Sequence, residues 1–186
     1  MREADHSWKG FRALITTPDL PALGPTARAG RLPLADLYQK IERFMTDGKP
    51  PVTLRACLRS AALLWHDYLD ESHNLSQNIH TADGSFLHAI MHRREPDYSN
   101  AKYWFHRAGP HRCFPQIAAR AADLLATSGQ NELAALLAPR GSWDPFGFVD
   151  ACEEAADRPL SDQRIQTLMA IQQIEFDSLL ADLFSK

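Results

Sequence analysis

The stretch VTLRACLRSAALLWHDYLDESHNLSQNIH, Val52 to His80, decides how the chain is read. In it Leu54, Cys57, Leu58, Ala61, Leu64, Trp65, Tyr68, Ser72, Leu75 and Ile79 recur mostly at steps of three and four. Such a period lines them along one side of an α-helix, whereas a strand would need alternation every second residue. The spacing therefore predicts one long helix over 52–80. His66, Asp70, His73, Gln77 and His80 stand four, three, four and three residues apart and would share a second, polar face of it.

Working toward the C-terminus, Thr81-Ala82-Asp83-Gly84 breaks the chain and offers a new cap. A short helix is expected from Ser85 to Glu95, stopped by Pro96. Asp97 is a natural N-cap for a helix running to Ala108, with Gly109-Pro110 as its stop. Further helices are expected near Pro115–Ser128, Asn131–Ala138, Asp144–Asp157 and Leu160–Phe184. Toward the N-terminus, Leu34, Leu37, Ile41 and Phe44 form a helical stripe closed by Asp47-Gly48 and Pro50-Pro51. Residues 1–33 carry Pro18, Pro21, Gly24, Pro25, Gly30 and Pro33, and read as an irregular arm anchored by Trp8, Phe11, Leu14 and Ile15. Nowhere do β-branched residues alternate as a strand requires. The fold class is therefore all-α, an antiparallel helical bundle or a set of repeat-like helical hairpins. It is expected as one domain over 34–186 with the arm packed on it.

Composition excludes several roles. Of 186 residues 20 are basic and 23 acidic, a net charge of -3, so no basic field exists to neutralise a phosphate backbone and nucleic acid is not an expected partner. The start, Met1 to His6, is polar and acidic with no apolar run behind it, and no stretch is long and apolar enough for a bilayer. Cys57, Cys113 and Cys152 are few, scattered and without a CxxC pair, which predicts a reduced, cytoplasmic protein lacking a disulfide framework. A homo-oligomer is compatible with all of this. The Gly24 and Gly30 surroundings are no phosphate loop, and no Gly-x-Ser-x-Gly elbow occurs. Cys113, close behind His111, reads as a packed thiol, and Trp143 to Phe148 as an aromatic helix entry.

Chemistry concentrates between His66 and His111, which hold seven of the eight histidines. His88 and His92 lie one turn apart, with Ser85 and Glu95 on the same side. Facing the polar side of the preceding helix, they could complete a metal site from His73, His80, His88 and His92, for zinc, iron or manganese. The intervening glutamate of the His-Glu-x-x-His protease motif is absent. The next fifteen residues, Arg93 to Arg107, pack four aromatics, five basic side chains counting His106, and two acids. Such a mixture suits a pocket for a small organic or anionic ligand, lined by His88, His92, Arg93, Arg94, Glu95, Asp97, Tyr98 and Lys102. Arginines and aromatics outnumber carboxylates here, which favours that ligand class over a divalent metal. Whether such a pocket would be catalytic is open. The competing reading is structural: the histidines form solvated faces opposite the apolar stripes. Arg93 or Arg94 is then buried against an acid such as Glu95, Asp97 or Glu71.

The run HAIMHRREPDYSNAKYWFHR, His88 to Arg107, resembles the signature of a family of uncharacterised bacterial and fungal proteins, with similarity from about Leu64 to Pro115. The resemblance implies a shared fold and a shared ligand, and brings no known activity with it. Asp97 to Ala108 also resembles the second helix of a tetratricopeptide repeat, with Tyr98, Ala101, Phe105 and Ala108 at the aromatic and small positions and Ala89 at the small position of the first helix. That likeness implies a protein-interaction module without catalysis. It also turns His88 and His92 toward the packed side, against the solvated-face reading. No second clear copy of a repeat of about 34 residues is found.

Overall fold

The computed structural model describes residues 5–186, and the chain there is all-helical, with no strand among the described residues. Its ten α-helices are α1 (Trp8–Leu14), α2 (Leu34–Gly48), α3 (Val52–Trp65), α4 (Leu69–Ser76), α5 (Ala82–Arg94), α6 (Tyr98–Ala108), α7 (Phe114–Thr127), α8 (Asn131–Leu137), α9 (Pro145–Glu154) and α10 (Gln163–Leu183). Residues 1–4, the first part of the polar start, lie outside the described residues. Among the described residues no helix is long and apolar enough to cross a membrane.

Most boundaries follow local chemistry. The side chains of Thr81, Asp97, Asp144 and Asp162 accept hydrogen bonds from backbone N–H groups of the first turns of α5, α6, α9 and α10. Each satisfies donors that have no partner inside the helix. At Gly84 in α5 a Cβ would stand 2.2 Å from the Ile79 carbonyl oxygen, so only glycine lets the helix start this close to the chain that leaves α4.

Two expectations are corrected. The arm is not irregular throughout, since Ser7 caps α1 and the helix drives Phe11 into the core. The Phe11 ring lies 5.2 Å from Phe44 and 6.1 Å from Phe184, edge-on and tilted. Ile15 is fully buried with it.

The single helix over 52–80 is in fact two. α3 ends at Trp65, and Asp67 takes a left-handed conformation, φ 63°, before α4 begins. That conformation costs a non-glycine residue about 1–3 kcal/mol unless its surroundings hold it. Here they do. The Asp67 carboxylate is fully buried. It accepts from Arg28 N at 2.9 Å, Arg28 Nε at 2.8 Å and Arg94 Nη2 at 2.7 Å. Burial alone would raise its pKa, but the hydrogen bonds from Arg28 and the charge of Arg94 outweigh that and hold it below the usual carboxylate range. The polar face assembled on paper is thereby dismantled: His66 turns into the core, with Nδ1 accepting from Leu32 N at 3.1 Å, while Asp70, Gln77 and His80 are exposed.

The centre of the molecule is α5, buried continuously from Asp83 to Arg94. It packs against α3, α4 and α6. A helix surrounded on this many sides has no solvated face, so its histidines and arginines must find partners inside the protein.

Candidate metal centre

Three helices deliver the side chains. On α5, His88 and His92 stand four residues apart and project to the same side, against α4 and α6. α4 is pressed onto α3 by a buried pair: Ser72 Oγ donates to the Ser60 carbonyl at 3.0 Å, and the two hydroxyls meet at 3.0 Å. The residue after Ser72 is His73, which this packing aims at α5. Its ring lies edge-on to His88 and His92, with centroids 4.8 and 5.2 Å away. From α6, the Trp104 indole covers His88 face to face, 4.0 Å between centroids with planes 11° apart. Asn100, one turn before Trp104, brings Nδ2 to 3.1 Å from His92 Nε2.

The nitrogens converge. His88 Nε2 and His92 Nε2 are 2.8 Å apart, and one ligand nitrogen from each of His73, His88 and His92 falls within 4.8 Å of the others. His88 and His92 are buried and His73 is half-buried. Glu95 Oε2 lies 3.3 Å from His92 Nδ1, and Asp97 Oδ2 3.9 Å from it. A carboxylate at Nδ1 favours the tautomer that leaves the Nε2 lone pair free. His88 Nδ1 is buried without a hydrogen-bond partner. Desolvation, together with the neighbouring His92 and His73, pushes His88 down to about 3. Burial and His73 lower His92 as well. Both are neutral imidazoles at pH 7, the protonation state that ligates metals.

Of the residues expected at a site, the structure brings together His73, His88 and His92, with Glu95 and Asp97 at their edge. It does not bring in the others. His80 is exposed beyond the end of α4. Arg93 is wholly buried and faces α10, where its guanidinium grips Glu175 at 2.6 and 3.3 Å and Gln172 at 3.3 Å, under the ring of Phe148. Arg94 is 1% exposed and bonds Asp67 and the Leu64 carbonyl, at 2.7 and 2.5 Å. Both arginines are thus buried against acids, but the acids are Glu175 and Asp67 rather than Glu95, Asp97 or Glu71. Lys102 pairs with Asp150 on α9. Tyr98 is half-buried on the same side of α6, its phenol raised by burial and by nearby Cys152 and Glu153.

Asn100 and Trp104 belong to the site and were not singled out from sequence. Their signal was the four-residue spacing on α6. A second polar cluster lies apart. His111 Nε2 meets Asp83 Oδ1 at 2.9 Å, His111 Nδ1 meets Cys113 Sγ at 3.0 Å, and Lys186 Nζ sits 2.6 and 2.7 Å from Asp83. The Cys113 thiol is 2% exposed and its pKa is pushed up by burial and by Glu175, so it is a packed group rather than a nucleophile. A cavity of about 460 Å³ opens beside Asp83 and Lys186, its apolar wall including Phe44, Leu54, Leu183 and Phe184. No family model matches this chain, and neither a curated protein nor a solved structure matches it.

Proposed function

We propose that the chain is a transition-metal-binding protein whose centre is His73, His88 and His92. The observation that carries this reading is the convergence of ring nitrogens, with Nε2 of His88 and Nε2 of His92 2.8 Å apart in a buried place. With His92 carrying its proton on Nδ1 toward Glu95, and His88 likewise on Nδ1, two Nε2 lone pairs face one point, an arrangement a cation between them would stabilise. The rings are in mutual contact, so the space between them suits an ion and not an organic molecule. Metal–nitrogen bonds of about 2.0–2.1 Å in a tetrahedron would separate the nitrogens by about 3.4 Å, so the pair would open by roughly half an ångström. An all-imidazole donor set suits zinc, copper, iron or nickel. Glu95 then serves as the carboxylate that orients His92 from behind.

The reading of an organic or anionic ligand held by Arg93 and Arg94 has less support, because both guanidiniums are spent on protein acceptors and closed to solvent. The test is direct. Chelator-stripped protein titrated with Zn²⁺ at pH 7.5 should bind one equivalent and melt at a higher temperature, and His88→Ala/His92→Ala should do neither. Absence of protection by Zn²⁺, Ni²⁺, Cu²⁺ and Fe²⁺ would overturn the reading.

A further inference from the structure

We infer that the metal in this centre keeps one exchangeable position on the side of Asn100, and that small anions bind there. The inference rests on the metal-centre reading and adds what the centre does with its environment. The argument begins with a count of donors. Among the described residues the ligand group of this cluster consists of three imidazoles. Glu95 and Asp97 approach His92 at Nδ1, the ring position away from the shared Nε2 side, and are not among the atoms that converge there. The three cysteines are buried elsewhere, Cys57 and Cys113 near Asp83 and Cys152 near Arg93. Three protein ligands leave a tetrahedral ion one ligand short, which is the pattern of open rather than structural centres.

The position of the gap follows from burial. His88 is sealed by the Trp104 indole stacked on it, and His92 is buried with it, whereas His73 and Asn100 are half-exposed. Solvent therefore reaches the cluster between α4 and the Asn100 side of α6. Charge sets the class of ligand. Imidazole ligands bring no charge of their own, so three of them leave a divalent ion with its full charge, and the nearest carboxylates stand on the Nδ1 side of His92. An exogenous anion supplies the missing negative charge at the ion. The Asn100 carboxamide, 3.1 Å from His92 Nε2, offers an N–H to an anion seated beside that nitrogen. A preorganised donor next to a buried cation is how sites favour hydroxide, azide or an oxyanion over neutral water.

The experiment uses the full chain loaded with Co²⁺, whose visible absorption reports coordination, and sodium azide as the anion. Co²⁺ should bind stoichiometrically, and azide should then change the visible spectrum saturably. Asn100→Ala should weaken azide by about tenfold, the size expected for losing a hydrogen bond to a charged group, and weaken Co²⁺ far less. Co²⁺ bound with a spectrum indifferent to azide would mean a closed coordination sphere, overturning this inference while the metal centre stands. An equal loss of azide and Co²⁺ affinity in Asn100→Ala would remove Asn100 from the anion position. Failure of Co²⁺ to bind at all, with Zn²⁺, Ni²⁺, Cu²⁺ and Fe²⁺ also silent, would overturn both.

Discussion

Two pairs of side chains on one helix, Arg93 with Arg94 and His88 with His92, have opposite fates. All four are buried, and all four were candidates for the same ligand. Each arginine meets a carboxylate that carries the compensating charge, Glu175 for one and Asp67 for the other, with backbone and amide oxygens filling most remaining donors. Only the two Nε atoms are without a bond. The histidines meet each other. Their Nε2 atoms face each other, His92 Nδ1 turns to Glu95, and the remaining ring nitrogen of His88 is orphaned. The charge of each arginine is matched by a protein carboxylate, whereas the facing Nε2 atoms of the histidines have no such complement, and that difference is what the proposed metal would account for.

The largest test removes a partner from the completed side. Arg93→Ala or Glu175→Ala leaves one buried charge uncompensated and should cost about 3–5 kcal/mol in urea denaturation. The double change Arg93→Met/Glu175→Leu should recover much of it, because it removes the charges together. A loss under 1 kcal/mol for either single change would break the comparison.

The histidine side should behave differently. At a metal concentration a hundred times Kd, bound metal adds about 2.7 kcal/mol to stability. His88→Ala/His92→Ala should abolish that increment in thermal melts with metal. Without metal the same variant should lose less than the arginine variants do.

A third test is pH, applied to metal-free protein. His88 is lowered to about 3 and His66 to about 4, in both cases mainly by burial, from an ordinary value of 6.5. Below pH 6.5 the unfolded chain takes up protons that the folded chain refuses. Stability is therefore full above that pH and falls as pH drops toward the folded values, by about 1.4 kcal/mol per pH unit for each histidine. Stability profiles of His88→Ala and His66→Ala should each be shallower between pH 6 and 4.5, windows taken from those shifts. A wild-type profile flat across that range would show that the rings are solvated. The smallest effect concerns both sides equally: Thr81→Ala removes the cap of α5 and should cost about 1 kcal/mol while leaving Zn²⁺ affinity unchanged, by calorimetry.

What was legible in the sequence was what is encoded nearby. Asp97, Asp144 and the Gly109 stop act within one turn, so the boundaries of α6 and α9 could be read to within a few residues. The break at Asp67 could not, because the residues that stabilise it are 39 positions upstream and 27 downstream. For the same reason Glu175, 82 positions from Arg93, gave no sign of itself. The site was half-legible. His88 and His92 announced a shared face through their spacing, but amphipathicity alone would have turned them to solvent. His73 joined them through a corner in the chain and not through the continuous helix that first suggested it. Asn100 and Trp104 stood in the quoted run, and only the packing of α6 onto α5 distinguished them from Tyr98 and Lys102, which face α9.

The left-handed corner at Asp67 also orders events in time. Contacts between α5 and α6 span few residues, so His88, His92, Asn100 and Trp104 can assemble as soon as that hairpin forms. His73 stands on α4, just beyond the corner, and the corner is held by Arg28 from the arm as well as by Arg94. Closing longer loops costs more chain entropy and comes later. We predict that the third imidazole is the last to be fixed: amide protons of α5 and α6 should be protected first in pulse-labelled hydrogen exchange and those of α4 afterwards, with Zn²⁺ uptake by the proposed centre keeping pace with α4.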